Sequence, residues 1–332
     1  MNKYRKLKIG IIGGGYWATN IIKTLEDFKF QDVFIFEIEK KKNNILKKKF
    51  PYLKLINTIE NFLKLKFDVV LLITPPSTHY NLAKKIIKKG NNIFIEKPTT
   101  LRSHHLKDLI SLSKKNNKIL MSGYIYCYNI YIKYIKKIIE KNALGKIKYI
   151  YCERSNLGPI RNDNSCIWDL ASHDISTSNY LLNSQPTVRN VTKYNLLNNK
   201  LSDISSISLD YNKVKVEIKS SWINPEKIRK LVIVGKKKML QFDEMEPHQK
   251  IKIYDKYASY PNIGKFKKSF FTPKANIYLG KTISPKIKFK SPMVCELEHL
   301  FHCIKNKKKP LTSGEYALKV MRIIEKIESK IN

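Results

Sequence analysis

Along the first third of the chain, short apolar runs alternate with stretches whose apolar residues recur every three or four positions. The runs are LKIGII at 7–12, DVFIFE ending at Glu37, DVVLLI at 68–73, IFIE at 93–96 and KILMSGY at 118–124. Continuous apolar runs of this length predict strands of a parallel sheet, covered on both faces. The helical stretches begin near Trp17, carry Ala83, Ile86 and Ile87, and cover about 103–116. Ser77 or Thr78 is placed to cap the second of them. This alternation predicts a doubly wound α/β unit. Later the pattern changes. KVKVEIKSSW at 213–222 and KLVIVG at 230–235 alternate as an antiparallel sheet with one covered face does. The length of 332 residues suits two domains. We place them at 1–123 and 124–332, with the last helix free to pack back on the first.

The basic, apolar start MNKYRKLKIGIIGGG resembles a leader, but glycines break its apolar stretch and no small-residue cleavage site follows. No run of 18 apolar residues occurs, so no membrane span is expected, and a cytoplasmic location is. Cys127, Cys152, Cys166, Cys295 and Cys303 are scattered, without CxxC or metal spacing, as buried thiols in a reducing compartment would be. His104, His105, His248, His299 and His302 offer no metal spacing either, so no metal is expected.

The net charge of +37 invites a nucleic-acid reading. The lysines, however, lie in nearly every segment, from Lys40–Lys42 to Lys307–Lys309. Lys, Ile and Asn share AT-rich codons, and the chain is rich in all three. Compositional drift explains the charge better than a nucleic-acid face, and weak, salt-sensitive polyanion binding follows either way.

After the first run comes Gly13-Gly14-Gly15 and then a helix, with Gly13, Gly15 and Ala18 spaced as GxGxxA. Gly13 lets the chain turn, Gly15 lets backbone approach a pyrophosphate, and Ala18 lets helix and strand pack closely. The helix start offers free N–H groups to the phosphates. Glu37, about 20 residues on, can accept from ribose hydroxyls and repels a 2′-phosphate. That favours NAD, with NADP kept open by Lys40–Lys42.

GIIGGGYWATN, ITPPSTHYNLA and Glu96-Lys97-Pro98 resemble the Gfo/Idh/MocA oxidoreductase family, as do LGKIKYIYCERSNLGPIRNDNSCIWDLASHDIS and the C-terminal PMVCELEHLFHCIKNKKKPLTSGEYALKVMRIIEKI. The likeness runs in register from about residue 7 to 328. It implies a Rossmann domain followed by an α/β domain with a large, mostly antiparallel open sheet. That sheet's exposed face commonly makes homodimers or homotetramers. The cofactor site then draws on Gly13, Gly15, Tyr16, Trp17, Glu37, Thr74, Pro75, Pro76, His79, Glu96 and Lys97, with His79 expected chiefly to hold its helix against the loop.

Hydride transfer from an alcohol needs a base for the hydroxyl proton and a group that polarises the oxygen. Lys97 ends a parallel strand, where an ammonium can stabilise developing alkoxide character. Asp169 and His173, four apart, share one helix face, and the resemblance places them on the family's acid/base pair. The chain departs from the commoner pattern there, with Ala171 in place of a glycine and Ser176 in place of a second aspartate. Asn156, Arg161 and Asp163, in the loop before Trp168, together with Trp168, Tyr124 and Asn129, are candidate substrate contacts. Arg161 suits an anionic substrate group. Trp222 and Arg229 look structural. The resemblance implies hydride transfer at a ring carbon of a sugar, in particular a UDP-sugar of surface-glycan synthesis. A free sugar, an inositol or a dihydrodiol needs the same groups, and a non-catalytic dinucleotide-binding regulator is the rival of another class.

Overall fold

The computed structural model describes residues 2–197, 200–260 and 275–330. The chain divides into two compact units, residues 1–129 with 290–325, and residues 130–289 with 326–332.

In the first unit the chain runs β1 (Lys8–Ile12), α1 (Tyr16–Glu26), β2 (Asp32–Phe36), α2 (Lys40–Lys49), β3 (Lys54–Leu55), α3 (Ile59–Lys64), β4 (Val69–Leu72), α4 (Pro76–Lys88), β5 (Asn92–Ile95), α5 (Ser103–Lys115) and β6 (Leu120–Ser122). The sheet order is β3-β2-β1-β4-β5-β6, and every pairing is parallel. All four residues of β4 are buried, as a strand covered on both faces requires.

The expected run at 118–124 is a shorter strand, because Lys118 N bonds Ser113 O to close α5 and a 3₁₀ turn over Ile125–Tyr128 follows Tyr124. Nor do Ser77 and Thr78 cap α4. Pro75 is the cap residue and Pro76 opens the helix, where a missing N–H costs nothing, while Thr78 Oγ1 donates back to Pro75 O at 2.8 Å. Residues 290–325 join this unit because Phe301 packs on Phe28 and Phe30, with ring centroids 5.2 and 5.0 Å away.

In the second unit α6 (Ile130–Glu140) and β7 (Ile147–Leu157) lead through a loop to a π-helical turn, Ile167–Ala171, which continues as α7 (Ser172–Leu182). Then come β8 (Thr187–Tyr194), β9 (Ile204–Tyr211), β10 (Val214–Ser221), β11 (Ile223–Gly235), β12 (Met239–Asp243), β13 (Ile251–Ser259) and β14 (Asn276–Ile283). The sheet order is β14-β13-β12-β11-β7-β10-β9-β8. Among the described residues only the β7–β10 pairing of this sheet is parallel. The chain ends in α8 (Pro292–Asn306) and α9 (Gly314–Glu328).

All five cysteines are buried, and burial pushes the Cys166 thiol up to about 12. Among the described residues no helix is long and apolar enough to cross a membrane, and no group of His, Cys, Asp and Glu is placed to hold a metal ion.

Candidate active site

The turn after β1 is dictated by what surrounds its glycines. Gly13 has φ +100°, and a Cβ on it would strike the carbonyl of Ile73. A side chain grown from Gly15 would instead project into open space at the start of α1. That open approach, in front of unbonded helix N–H groups, fits a pyrophosphate. Glu37 closes the other side. Its Oε2 accepts from Gly14 N at 2.5 Å and its Oε1 from Glu39 N at 2.9 Å. Each oxygen keeps a second lone pair, so two backbone bonds leave room for ribose hydroxyls. A dinucleotide therefore suits these residues.

Gly14 is the glycine that sequence reasoning passed over. A Cβ there would meet Leu46 and the Glu37 carboxylate itself, so the glycine is what lets Glu37 reach the turn. Its signal was present in the sequence, as a third glycine with no role assigned. Of the two expected contacts that open α1, Tyr16 is almost fully exposed, and the Trp17 indole donates to Glu96.

The carboxyl ends of β4, β5 and β6 carry the other expected groups of this unit. Buried His79 ties α4 to two loops, with Nε2 2.8 Å from Thr74 O and Nδ1 3.0 Å from Pro98 O. Burial outweighs these carbonyls and lowers its basicity, and a neutral ring donates to only one of them. This is the tie expected of it. Thr74 Oγ1 shares a 2.6 Å hydrogen bond with Thr78 Oγ1. Lys97 follows Glu96 directly and precedes Pro98 across a cis peptide bond.

Glu96 occupies the space that a side chain on Gly123 would need. Burial lifts its carboxyl to about 7, against the opposing pull of the Lys97 charge. Near it in this unit is Glu296 of α8, buried, with Oε1 lacking a partner among the described residues. Burial first, and Glu96 second, push Glu296 well above the carboxylate range. Two neighbouring carboxyls 200 residues apart in sequence, Glu296 buried and Glu96 half-buried, left no local trace. Tyr124 and Asn129, expected to contact substrate, are 2% and 3% exposed. Tyr124 packs edge-on to Tyr316, so a packing role is what its surroundings give it.

In the second unit Asp169 lies within the π turn, and His173 follows in the first turn of α7. The regular α-helical spacing expected between the two is replaced by a widened turn, a feature that recurs at functional sites. Trp222, which links β10 to β11, donates its indole N–H to Asp169 Oδ2 at 3.2 Å. The residue after His173 is anchored as well. Arg154 of β7 makes a bidentate pair with Asp174, at 3.0 and 2.9 Å, and both side chains are buried. A fork-to-carboxylate pair fixes geometry as well as charge.

The loop ahead of the π turn is more self-contained than expected. Arg161 grips Asp163 with two bonds of 2.9 and 2.8 Å. The pair raises the guanidinium's pKa and lowers that of the carboxylate. Both side chains are exposed, so a substrate anion would have to compete with Asp163 for Arg161. Asn156 lies at the end of β7 and not in the loop where it was expected, and it is bonded on both ends, donating to Gly158 O and accepting from Arg229. Arg229 also caps Ser155 O at 2.9 Å, which accounts for its structural appearance. Trp168 is half-buried within the π turn.

Comparison with known proteins bears on these features. The model of an oxidoreductase family with an NAD-binding Rossmann fold, Gfo/Idh/MocA, matches residues 7–124, and that of the Gfo/Idh/MocA C-terminal domain matches residues 132–241. The UDP-N-acetylglucosamine 3-dehydrogenase of Acidithiobacillus ferrooxidans is 29% identical over 120 residues, which are 36% of this chain and 37% of that protein. The inositol 2-dehydrogenase of Rhizobium meliloti is 23% identical over 159 residues, 46% of this chain and 47% of that protein. The chain thus spans about half or less of the length of the curated relatives it matches. A solved structure of the same A. ferrooxidans enzyme has the same fold, with a TM-score of 0.79 at 18% identity over 97% of this chain and 96% of that one.

Proposed function

Since the chain belongs to the Gfo/Idh/MocA family of NAD-binding oxidoreductases, we propose that it transfers a hydride to or from a ring carbon of a sugar or polyol, with NAD as its cofactor. The carrying observation is the turn at Gly13–Gly15 closed by Glu37, which offers helix N–H groups and a ribose-accepting carboxylate together. A dinucleotide held there would accept or supply the hydride, according to the direction of the reaction. Lys97 donates a hydrogen bond to the reacting oxygen and stabilises negative charge as it develops. His173 takes the hydroxyl proton, and Asp169 orients the reacting group and supports the imidazole.

A UDP-sugar is the finer reading, supported by the partial likeness to a UDP-N-acetylglucosamine 3-dehydrogenase. The likeness to an inositol 2-dehydrogenase supports a free polyol instead. On either reading the exposed apolar residues of β14, Ile277, Leu279 and Ile283, suit an exposed sheet face that pairs two copies of the chain. The test is NADH formation at 340 nm with UDP-N-acetylglucosamine, free hexoses and inositols. Turnover on UDP-N-acetylglucosamine alone establishes the finer reading, and turnover on an inositol alone replaces it. Tight NADH binding without turnover on any of them favours a regulator.

A further inference from the structure

We propose that Trp222 is a positioning residue for Asp169, its indole N–H fixing the carboxylate's orientation and holding it ionised. The inference rests on the reading of Asp169 as a reacting group.

Trp222 is fully buried, the largest such side chain in the protein. A buried indole N–H must find an acceptor, and in most cores a nearby carbonyl serves. Here the acceptor is a carboxylate 53 residues away, 3.2 Å from the nitrogen. The donor end cannot drift, because the backbone of Trp222 is held at both sides. Its N–H donates to Asp203 O at 2.9 Å, and its carbonyl accepts from Gly158 N at 2.9 Å. The carboxylate end is different. It sits in a π turn, a rare element that recurs at functional sites. A donor whose backbone is fixed at both sides, bonded to a group on such a turn, is how a reacting side chain is kept in one pose.

Charged groups of the same unit also act on Asp169. From the preceding loop come Arg161 and Asp163, which act on it with opposite signs and are bonded to each other. Cys166, lifted by burial, is a neutral thiol. His173 follows one turn later in α7. The indole N–H is thus a short-range donor committed to the Asp169 carboxylate, and a hydrogen bond to the charged form favours that form.

Trp222→Phe keeps an aromatic ring in the core and removes the N–H. Carboxyl ¹³C NMR of aspartate-labelled protein, with the Asp169 signal identified by its loss in Asp169→Asn, reads the titration midpoint without any substrate. We expect the midpoint to rise by about one pH unit in Trp222→Phe. With the active sugar of the panel above, kcat should fall roughly tenfold with KM and the NADH Kd unchanged. Were Trp222→Phe too unstable to assay, the unaltered protein still decides. There the Trp222 indole proton resonance should shift with pH at the Asp169 midpoint, and Asp169→Asn should abolish that shift. An unchanged midpoint in Trp222→Phe, or an indole resonance indifferent to Asp169, overturns the proposal. If Asp169→Asn turns over at the unaltered rate, the catalytic reading of Asp169 fails and this inference fails with it. If Asp169→Asn is inactive while Trp222→Phe behaves normally, this inference fails alone.

Discussion

The turn after β1 and the turn before α7 do the same job by different means. Each presents polar groups at the start of a helix, and each needs a carboxylate held at a fixed angle. The first is built almost wholly from backbone: Gly13 at φ +100°, and Glu37 bonded to the N–H groups of Gly14 and Glu39. The second is built from side chains brought in from other strands: Trp222 on Asp169, and Arg154 on Asp174. A backbone device demands particular residue types at fixed spacing and so leaves a motif. A side-chain device demands only a partner somewhere in the fold.

The difference predicts where each unit breaks. The largest effect is expected at Lys97, for which we propose a chemical role. Lys97→Ala should lower kcat by about 10³-fold while NADH binds nearly as before, which single-turnover and binding measurements separate. An equal loss of binding would recast Lys97 as a cofactor ligand. Next comes the side-chain device of the second unit. Arg154→Leu leaves Asp174 as a buried charge without its partner and should cost about 3–5 kcal/mol of stability, read by chemical denaturation. A loss below 1 kcal/mol would mean that the pair is not buried in solution.

The backbone device should respond more gently and only in its own function. Gly14→Ala pushes Glu37 off the turn and should weaken NADH roughly tenfold with little change in melting temperature, because one charge-assisted bond is disturbed. If the melting temperature collapses instead, Gly14 is needed for the fold and not for the ligand.

The smallest effect is a pH slope. Glu96 is lifted from 4.5 to about 7, so the folded state binds more protons than the unfolded chain between those values. Stability should therefore fall as pH rises through that window and level off above it. Glu96→Gln should flatten part of the slope in melting temperature between pH 5 and 8, the remainder coming from Glu296, which is raised by the same burial. An unchanged slope would place the Glu96 carboxyl in water.

What the chain made legible follows the same division. The parallel sheet was read correctly, because continuous apolar strands constrain neighbouring residues, and the turn at Gly13–Gly15 left a motif for the same reason. The large antiparallel sheet was read from alternation and from the family resemblance together. Trp222 was read as structural, and nothing near SSW announces its acceptor 53 residues upstream. Asn156 and Arg161 looked like open polar contacts, because their loop reads as solvated. Their partners Arg229 and Asp163 are ordinary residues whose geometry only the fold supplies. Glu296 lies 200 residues from Glu96 and had no signal at all.

The central claim is that the turn at Gly13–Gly15 with Glu37 binds NAD in preference to NADP. The most direct measurement is titration of the protein into NADH and into NADPH, followed by nicotinamide fluorescence, with Glu37→Ser alongside. The account predicts saturable NADH binding, weaker NADPH binding, and a loss of that preference in Glu37→Ser. Binding of neither dinucleotide, or a preference for NADPH that Glu37→Ser leaves unchanged, would contradict it.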